Sequence, residues 1–228
     1  MSTKAELISD RAVAERAKTD FSNEAMLAAR AKSWQAVERI RSEVRVGMTE
    51  EDVVAISRRV CEELGGTKHW HMPKIRFDQN TLLNFSERSE PGVTLGEESI
   101  FFIDLGPVFD GYEGDVGASY AMGKDAEKIR CAADCKVLFD IVHQRWKEKG
   151  ESGHDLYEFA KTAARERGWE LNAEITGHRV ADFPHALYFK GSMGDMGFKP
   201  SAYIWVLEIQ IRHPSQPWGA FYEDILID

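Results

Sequence analysis

The sequence predicts an α+β fold built from two similar halves, each running helix, helix, strands, and three observations predict it. First, Asp110-Gly111 separates the apolar run Phe101-Phe102-Ile103-Asp104-Leu105 from Tyr112-Glu113-Gly114-Asp115. Both residues of the pair tolerate the positive φ of a primed turn, so the segment reads as an antiparallel hairpin. Second, Gly47-Met48-Thr49-Glu50-Glu51-Asp52-Val53, ending at Gly65, matches Gly150-Glu151-Ser152-Gly153-His154-Asp155-Leu156, ending at Gly168, at a constant offset of 103 residues. Third, the strand-like stretches Tyr203–Arg212 and Gly219–Asp228 flank His213-Pro214-Ser215-Gln216-Pro217-Trp218, where two prolines forbid a regular ladder, so the second half also ends in a hairpin.

Taken in order, residues 1–23 read as an N-terminal extension and residues 24–228 as one domain with halves of about 24–123 and 124–228. A helix over roughly Glu24–Val44 comes first. The next begins at Thr49, a hydroxyl at the N-cap with Asp52 three residues on, and buries the stripe Val53, Ile56 and Val60. Strand-like sequence through His69-Trp70-His71 leads to the first hairpin. In the second half a helix over Ala126–Lys149 precedes one capped by Ser152, with Leu156, Phe159 and Ala163 repeating the stripe. The strands themselves show no convincing repeat.

At 228 residues and 43% hydrophobic the chain can bury a sizeable core. A net charge of -9 argues against nucleic acid and anionic membrane as partners. No run of 18 apolar residues and no apolar leader region is visible, so a cytoplasmic location is expected. Cys61, Cys131 and Cys135 lack the spacing of a zinc or redox site and read as small buried residues.

The hairpins carry the chemistry. With Asp110-Gly111 as the loop, Asp104 faces Gly117 and Asp115 faces Gly106, which makes the two aspartates diagonal neighbours on one face. A symmetric loop in the second hairpin sets Glu208 directly opposite Glu223. Carboxylates converging inside apolar strands repel one another unless protonated or bridged by a cation.

With Thr176-Gly177-His178 and the helix start Val46-Gly47-Met48-Thr49-Glu50, these residues resemble the pita-bread metallopeptidases, which include methionine aminopeptidase, aminopeptidase P and prolidase. The resemblance spans about Glu24 to the C-terminus. It implies a pita-bread fold, two pseudo-symmetric helix-helix-sheet halves around a curved antiparallel sheet, and a set of metal ligands: Asp104, Asp115, His178, Glu208 and Glu223. Four carboxylates and one imidazole suit two divalent transition-metal ions, manganese, iron, cobalt or zinc. Asp115 and Glu223 would bridge them, and Glu208 would also take the proton of the attacking water. The implied reaction is hydrolysis of a short peptide, Xaa-Pro peptides included, or of a small amide, by a hydroxide shared between the metals. His185 falls where the family steadies substrate and oxyanion, while His69, Trp70 and His71 lie on a strand expected to line the substrate pocket. A homodimer is the family-level expectation.

Departures cluster around the substrate. The family's histidine some 17 residues before the first aspartate is missing from Asn84-Phe85-Ser86-Glu87, and Val116-Gly117-Ala118-Ser119 replaces the usual Thr-Arg or Thr-Ser-Lys. Arg179, Ala186 and Ile209 also stand at altered positions. A non-peptidase metalloenzyme on the same fold, a C–N hydrolase, lyase or oxidative enzyme on a small molecule, is therefore the alternative. Glu113 lies two residues before Asp115 on the same nominal face and reads as a solvated turn-end carboxylate, with contact to the site as the alternative, and His143, His154 and His213 read as surface residues.

Overall fold

The computed structural model describes residues 7–228. Capping fixes where its helices begin. After the short α1 (Arg11–Ala14), Ser22 caps α2 (Asn23–Glu43) by accepting from the Ala25 amide. Thr49 and Asp52 form a reciprocal capping box at α3 (Glu50–Glu63). Four strands follow: β1 (Lys68–Phe77), β2 (Ile100–Phe109), the two-residue β3 (Tyr112–Glu113) and β4 (Val116–Ala121). Next come α4 (Ala126–Lys149), capped by Asp125, and α5 (Gly153–Glu166), capped by Ser152. Two short strands, β5 (Glu170–Leu171) and β6 (His178–Arg179), precede the closing hairpin β7 (Trp205–Arg212) and β8 (Gly219–Ile225). Helices α3 and α5 are both 14 residues long and keep the 103-residue offset at both ends (50 to 153, 63 to 166).

Among the described residues, eight strands join one antiparallel sheet in the order β1-β2-β4-β8-β7-β5, with β3 beside β2 and β6 beside β7. The two hairpins thus meet at the centre of the sheet through β4 and β8. The order gives the strands the repeat their residues do not display: β2 and β7 occupy corresponding places, as do β4 and β8. Asp110 (φ 52°) and Gly111 (φ 84°) adopt the left-handed conformations of the primed turn, and the register puts Asp104 opposite Gly117 and Glu208 opposite Glu223.

Period-two alternation divides each central strand between two jobs. On β2, Phe101, Ile103 and Leu105 face α2 and α3 within a cluster that includes Val37, Ile40, Val53 and Val60. On β7, Leu207, Ile209 and Ile211 face α4 and α5 within a second cluster containing Leu138, Trp146, Leu156 and Ala160. Trp146, Trp169 and Trp205 are among the largest fully buried side chains; each such burial contributes about 1.5–3 kcal/mol or more. The opposite face is left to the acids. Cys61, Cys131 and Cys135 are buried free thiols, and burial pushes each of them up, Cys61 to about 11 and Cys131 to about 12.

Two surface expectations fail. His143 is half-buried, its Nε2 2.8 Å from the Ile227 carbonyl and its ring stacked on Trp146, and His213 packs against Trp169 and Trp218. The described residues ahead of α2 lie along residues 182–205: Glu15 accepts from the Ser201 amide (2.8 Å) and from Trp205 Nε1 (3.1 Å), and Lys18 pairs with Asp182 (3.2 Å). Among the described residues no helix is long and apolar enough to cross a membrane.

Candidate metal centre

The ladders align four consecutive strands so that Asp104, Gly117, Glu223 and Glu208 form one cross-strand row on β2, β4, β8 and β7. Gly117 is the gap in that row. A Cβ there would lie 3.0 Å from Glu223 Oε1 and 2.7 Å from the Phe221 ring, so the absent side chain lets Glu223 lean toward Asp104. Asp115 stands two residues before Gly117 on the same face, and all four acids open into a cavity of about 350 Å3. His178 on β6 completes the group: its Nε2 is 3.0 Å from Asp115 Oδ2, and its Nδ1 is 2.9 Å from the Arg179 carbonyl. A carbonyl only accepts, so Nδ1 carries the hydrogen of that bond and Nε2 is the nitrogen turned to the acids.

Burial dominates the electrostatics. It pushes Glu208 up to about 7, with Asp115 and Asp104 adding to the rise, and lifts Glu223 well above the usual carboxylate range, with Asp115, Asp104 and Glu208 reinforcing it. Asp104 is raised by burial, which outweighs the pull of His71. Burial acts the same way on Asp115, but His178 and His71 together hold that carboxyl below its ordinary value. His178 shows the converse: burial disfavours its cation, yet Glu208 and Asp115 carry it to about 10. Buried carboxylates this close cannot all ionise unaided.

The donor set fits metal ions. Asp104 Oδ1, Asp115 Oδ2 and Glu223 Oε1 are buried with no hydrogen bond of acceptable geometry, and orphaned buried oxygens are costly without a cation or partner. Two triads of ligand atoms lie mutually within 4.8 Å: His71, Asp104 and Asp115, and Asp115, His178 and Glu223.

The remaining wall comes from irregular segments. The β1–β2 register slips between His69 and His71 and again between His71 and Lys74. Bulges of this kind re-aim successive side chains, and here both Trp70 and His71 reach the cavity wall. His69 does not line it. Trp70 packs 5.1 Å from the rings of both His178 and His185. Phe85, from the segment without the expected histidine, presents its ring to the cavity 5.5 Å from His71.

Glu113 corrects the turn-end expectation. It is fully buried, accepting from the His185 amide (2.9 Å) and the Ala181 amide (3.1 Å) and binding His185 Nδ1 at 2.7 Å. This ties down His185 and leaves its Nε2 free. The signal in the sequence was the shared parity of Glu113 and Asp115; the covering segment, residues 178–185, was not foreseeable from it. Sequence reasoning also missed the contact between His71 and the aspartates, because the bulges that produce it leave no residue pattern.

The sequence profile of metallopeptidase family M24 matches residues 24–227. The chain belongs to this family. Its fold is the M24 pita-bread fold, shared with an X-Pro aminopeptidase from Thermotoga maritima (15% identity, TM-score 0.71, covering 90% of this chain and 58% of that one). It is also shared with a prolidase from Pyrococcus horikoshii (18%, 0.68, 89% and 57%) and a methionine aminopeptidase from Thermotoga maritima (15%, 0.69, 92% and 94%). This M24 chain therefore spans under three fifths of the X-Pro aminopeptidase and prolidase chains and nearly all of the methionine aminopeptidase. No curated protein matches it in sequence.

Proposed function

We propose that this M24 protein is a dinuclear metal-dependent hydrolase of the aminopeptidase type, acting on a short peptide, Xaa-Pro peptides included, or a related small amide. The observation that carries the reading is the convergence of Asp104, Asp115, His178, Glu208 and Glu223 on one cavity, with three buried oxygens that make no hydrogen bond. Asp115 and Glu223 would sit between two divalent transition-metal ions, Asp104 on one side and His178 with Glu208 on the other. Such ions, when bound, lower the pKa of water and polarise the scissile carbonyl.

The chain's own groups supply the rest. Glu208, on the cavity floor, takes the proton of the attacking water and returns it to the leaving nitrogen. His185, fixed through Nδ1 by Glu113, turns Nε2 to the cavity and would donate from it to the substrate oxygen when the ring carries both protons. Trp70 and Phe85 give apolar walls, while Glu174 and the exposed Lys190 place opposite charges beside the cavity, suited to a small zwitterion. A cavity of about 350 Å3 is near the lower end for small-molecule sites, which favours a dipeptide-sized substrate.

One observation favours the second reading, a non-peptidase enzyme on the same metals: Phe85 occupies the wall where the peptidase histidine is expected. Activity assays with manganese, iron or cobalt on short peptides, Xaa-Pro ones among them, and on non-peptide amides separate the two. Release of an N-terminal residue supports the first; a metal-loaded protein inert on every peptide supports the second.

A further inference from the structure

We propose that His71 is a sixth protein ligand of this centre, binding through Nε2 the ion on the Asp104 side; the proposal rests on the metal reading above. Nε2 of His71 lies 3.3 Å from Asp104 Oδ1 and 3.3 Å from Asp115 Oδ1. That separation is long for a charge-assisted hydrogen bond. It matches the edge of a coordination polyhedron, since donors about 2.1 Å from a common ion at ordinary angles lie roughly 3.0–3.4 Å apart.

The ring is held as His178 is held. In each, Nδ1 is 2.9 Å from the carbonyl of the following residue, Met72 for one and Arg179 for the other, which commits Nε2 to Asp115. This is how metal-binding histidines are usually oriented. Asp115 presents Oδ1 to His71 and Oδ2 to His178, the arrangement of a carboxylate set between two ions, each with its own imidazole.

The sequence builds the position with two devices. The bulges of β1 bring His71 round to the acid face, and Gly106, its partner on β2, leaves the space it fills. A Cβ on Gly106 would lie 2.1 Å and 2.4 Å from two atoms of the His71 ring. Trp70 and Phe85 then pack edge-on against that ring at 4.4 and 5.5 Å. With its side chain only 6% exposed, His71 is poorly placed to touch substrate directly. A nitrogen on each ion moves the preference of the centre from manganese toward iron, cobalt or zinc.

The test compares full-length wild type with His71→Ala, His71→Gln and Gly106→Ala, each loaded with cobalt alone and with manganese alone. Gln preserves volume and hydrogen bonding, Gly106→Ala displaces the ring without deleting it, and circular dichroism confirms folding. Wild type is expected to bind two ions per chain, with histidine nitrogen coupled to both in pulsed EPR. Each variant is expected to keep one ion at wild-type affinity, bind the other at least about tenfold more weakly, and lose one nitrogen coupling. Two ions with unchanged affinity and couplings in His71→Ala overturns the role of His71 alone, and a raised KM beside them returns the ring to the substrate. Wild type that binds no metal, or metal retained by Asp115→Asn, overturns the metal reading and this proposal with it.

Discussion

The floor of the cavity and its wall are built on different principles. The floor, Asp104, Glu208 and Glu223 with Asp115 just ahead of β4, hangs on four hydrogen-bonded strands whose register fixes the row of carboxylates. The wall, Trp70, Phe85 and His185, comes from a bulged edge strand, a loop and a short 3-10 turn, each held by a few individual contacts. A ladder transmits position along every residue pair, so a change on the floor alters what the site can hold. A wall residue held by one or two contacts can change alone, so a change there alters what the site acts upon.

The largest expected effect strikes the floor. Asp115→Asn removes a negative charge from the carboxylate shared by both ligand triads. Metal analysis should show most of the metal lost, and turnover should fall at least about a thousandfold, equivalent to the several kcal/mol a metal supplies. Metal content equal to wild type would show that the floor does not hold it. Chelation should act on stability in the same place, because the floor concentrates buried carboxylates that a cation neutralises. Returning a divalent ion to about a hundred times its Kd should stabilise by about 2.7 kcal/mol, read as a melting point several degrees above the chelated protein; coincident melting curves would contradict it.

On the wall the effect should be smaller and of another kind. Glu113→Gln keeps the shape of the buried side chain but weakens the charge-assisted bond to His185 Nδ1. We expect turnover to fall about 10- to 100-fold with metal content unchanged. His185→Ala should give at least as large a loss, again with metal retained. Loss of metal from either variant would move His185 from the wall to the floor.

The same contrast explains what could be read in advance. Asp110-Gly111 dictated a two-residue loop, and once that loop was placed, period-two alternation carried the register to Asp104 and Asp115; the proline-containing loop did the same for Glu208 and Glu223. Capping residues located α3 and α5 to the residue. The repeat in the strands stayed hidden because corresponding places carry different residues, Asp104 on β2 and Glu208 on β7, and symmetry there resides in the backbone ladder. Trp70 and His71 were legible as neighbours of the pocket but not as a bulge. Glu113 looked like a solvated turn end because the segment that buries it is more than sixty residues away in the chain (113 to 178–185).

The smallest expected effect tests whether the two repeated helices are equivalent supports for the floor. Thr49 accepts from the Asp52 amide at 3.1 Å, and the Asp52 carboxylate accepts in return from the Thr49 amide at 2.9 Å. Ser152 accepts from the Asp155 amide at 3.1 Å and donates its hydroxyl to the Asp155 carboxylate at 2.6 Å, as Thr49 does to Asp52 at 2.8 Å, but its own amide makes no reciprocal bond. A cap replaced by alanine costs about 1 kcal/mol, and Thr49→Ala keeps the backbone amide that donates to Asp52, so it should cost no more than Ser152→Ala. The two helices pack into separate core clusters, so the double variant should equal the sum of the singles within about 0.5 kcal/mol. Denaturant melts of the four proteins measure this directly. A coupling well above that figure would mean that strain at one helix start reaches the other through β4 and β8, where the hairpins meet beneath the acids.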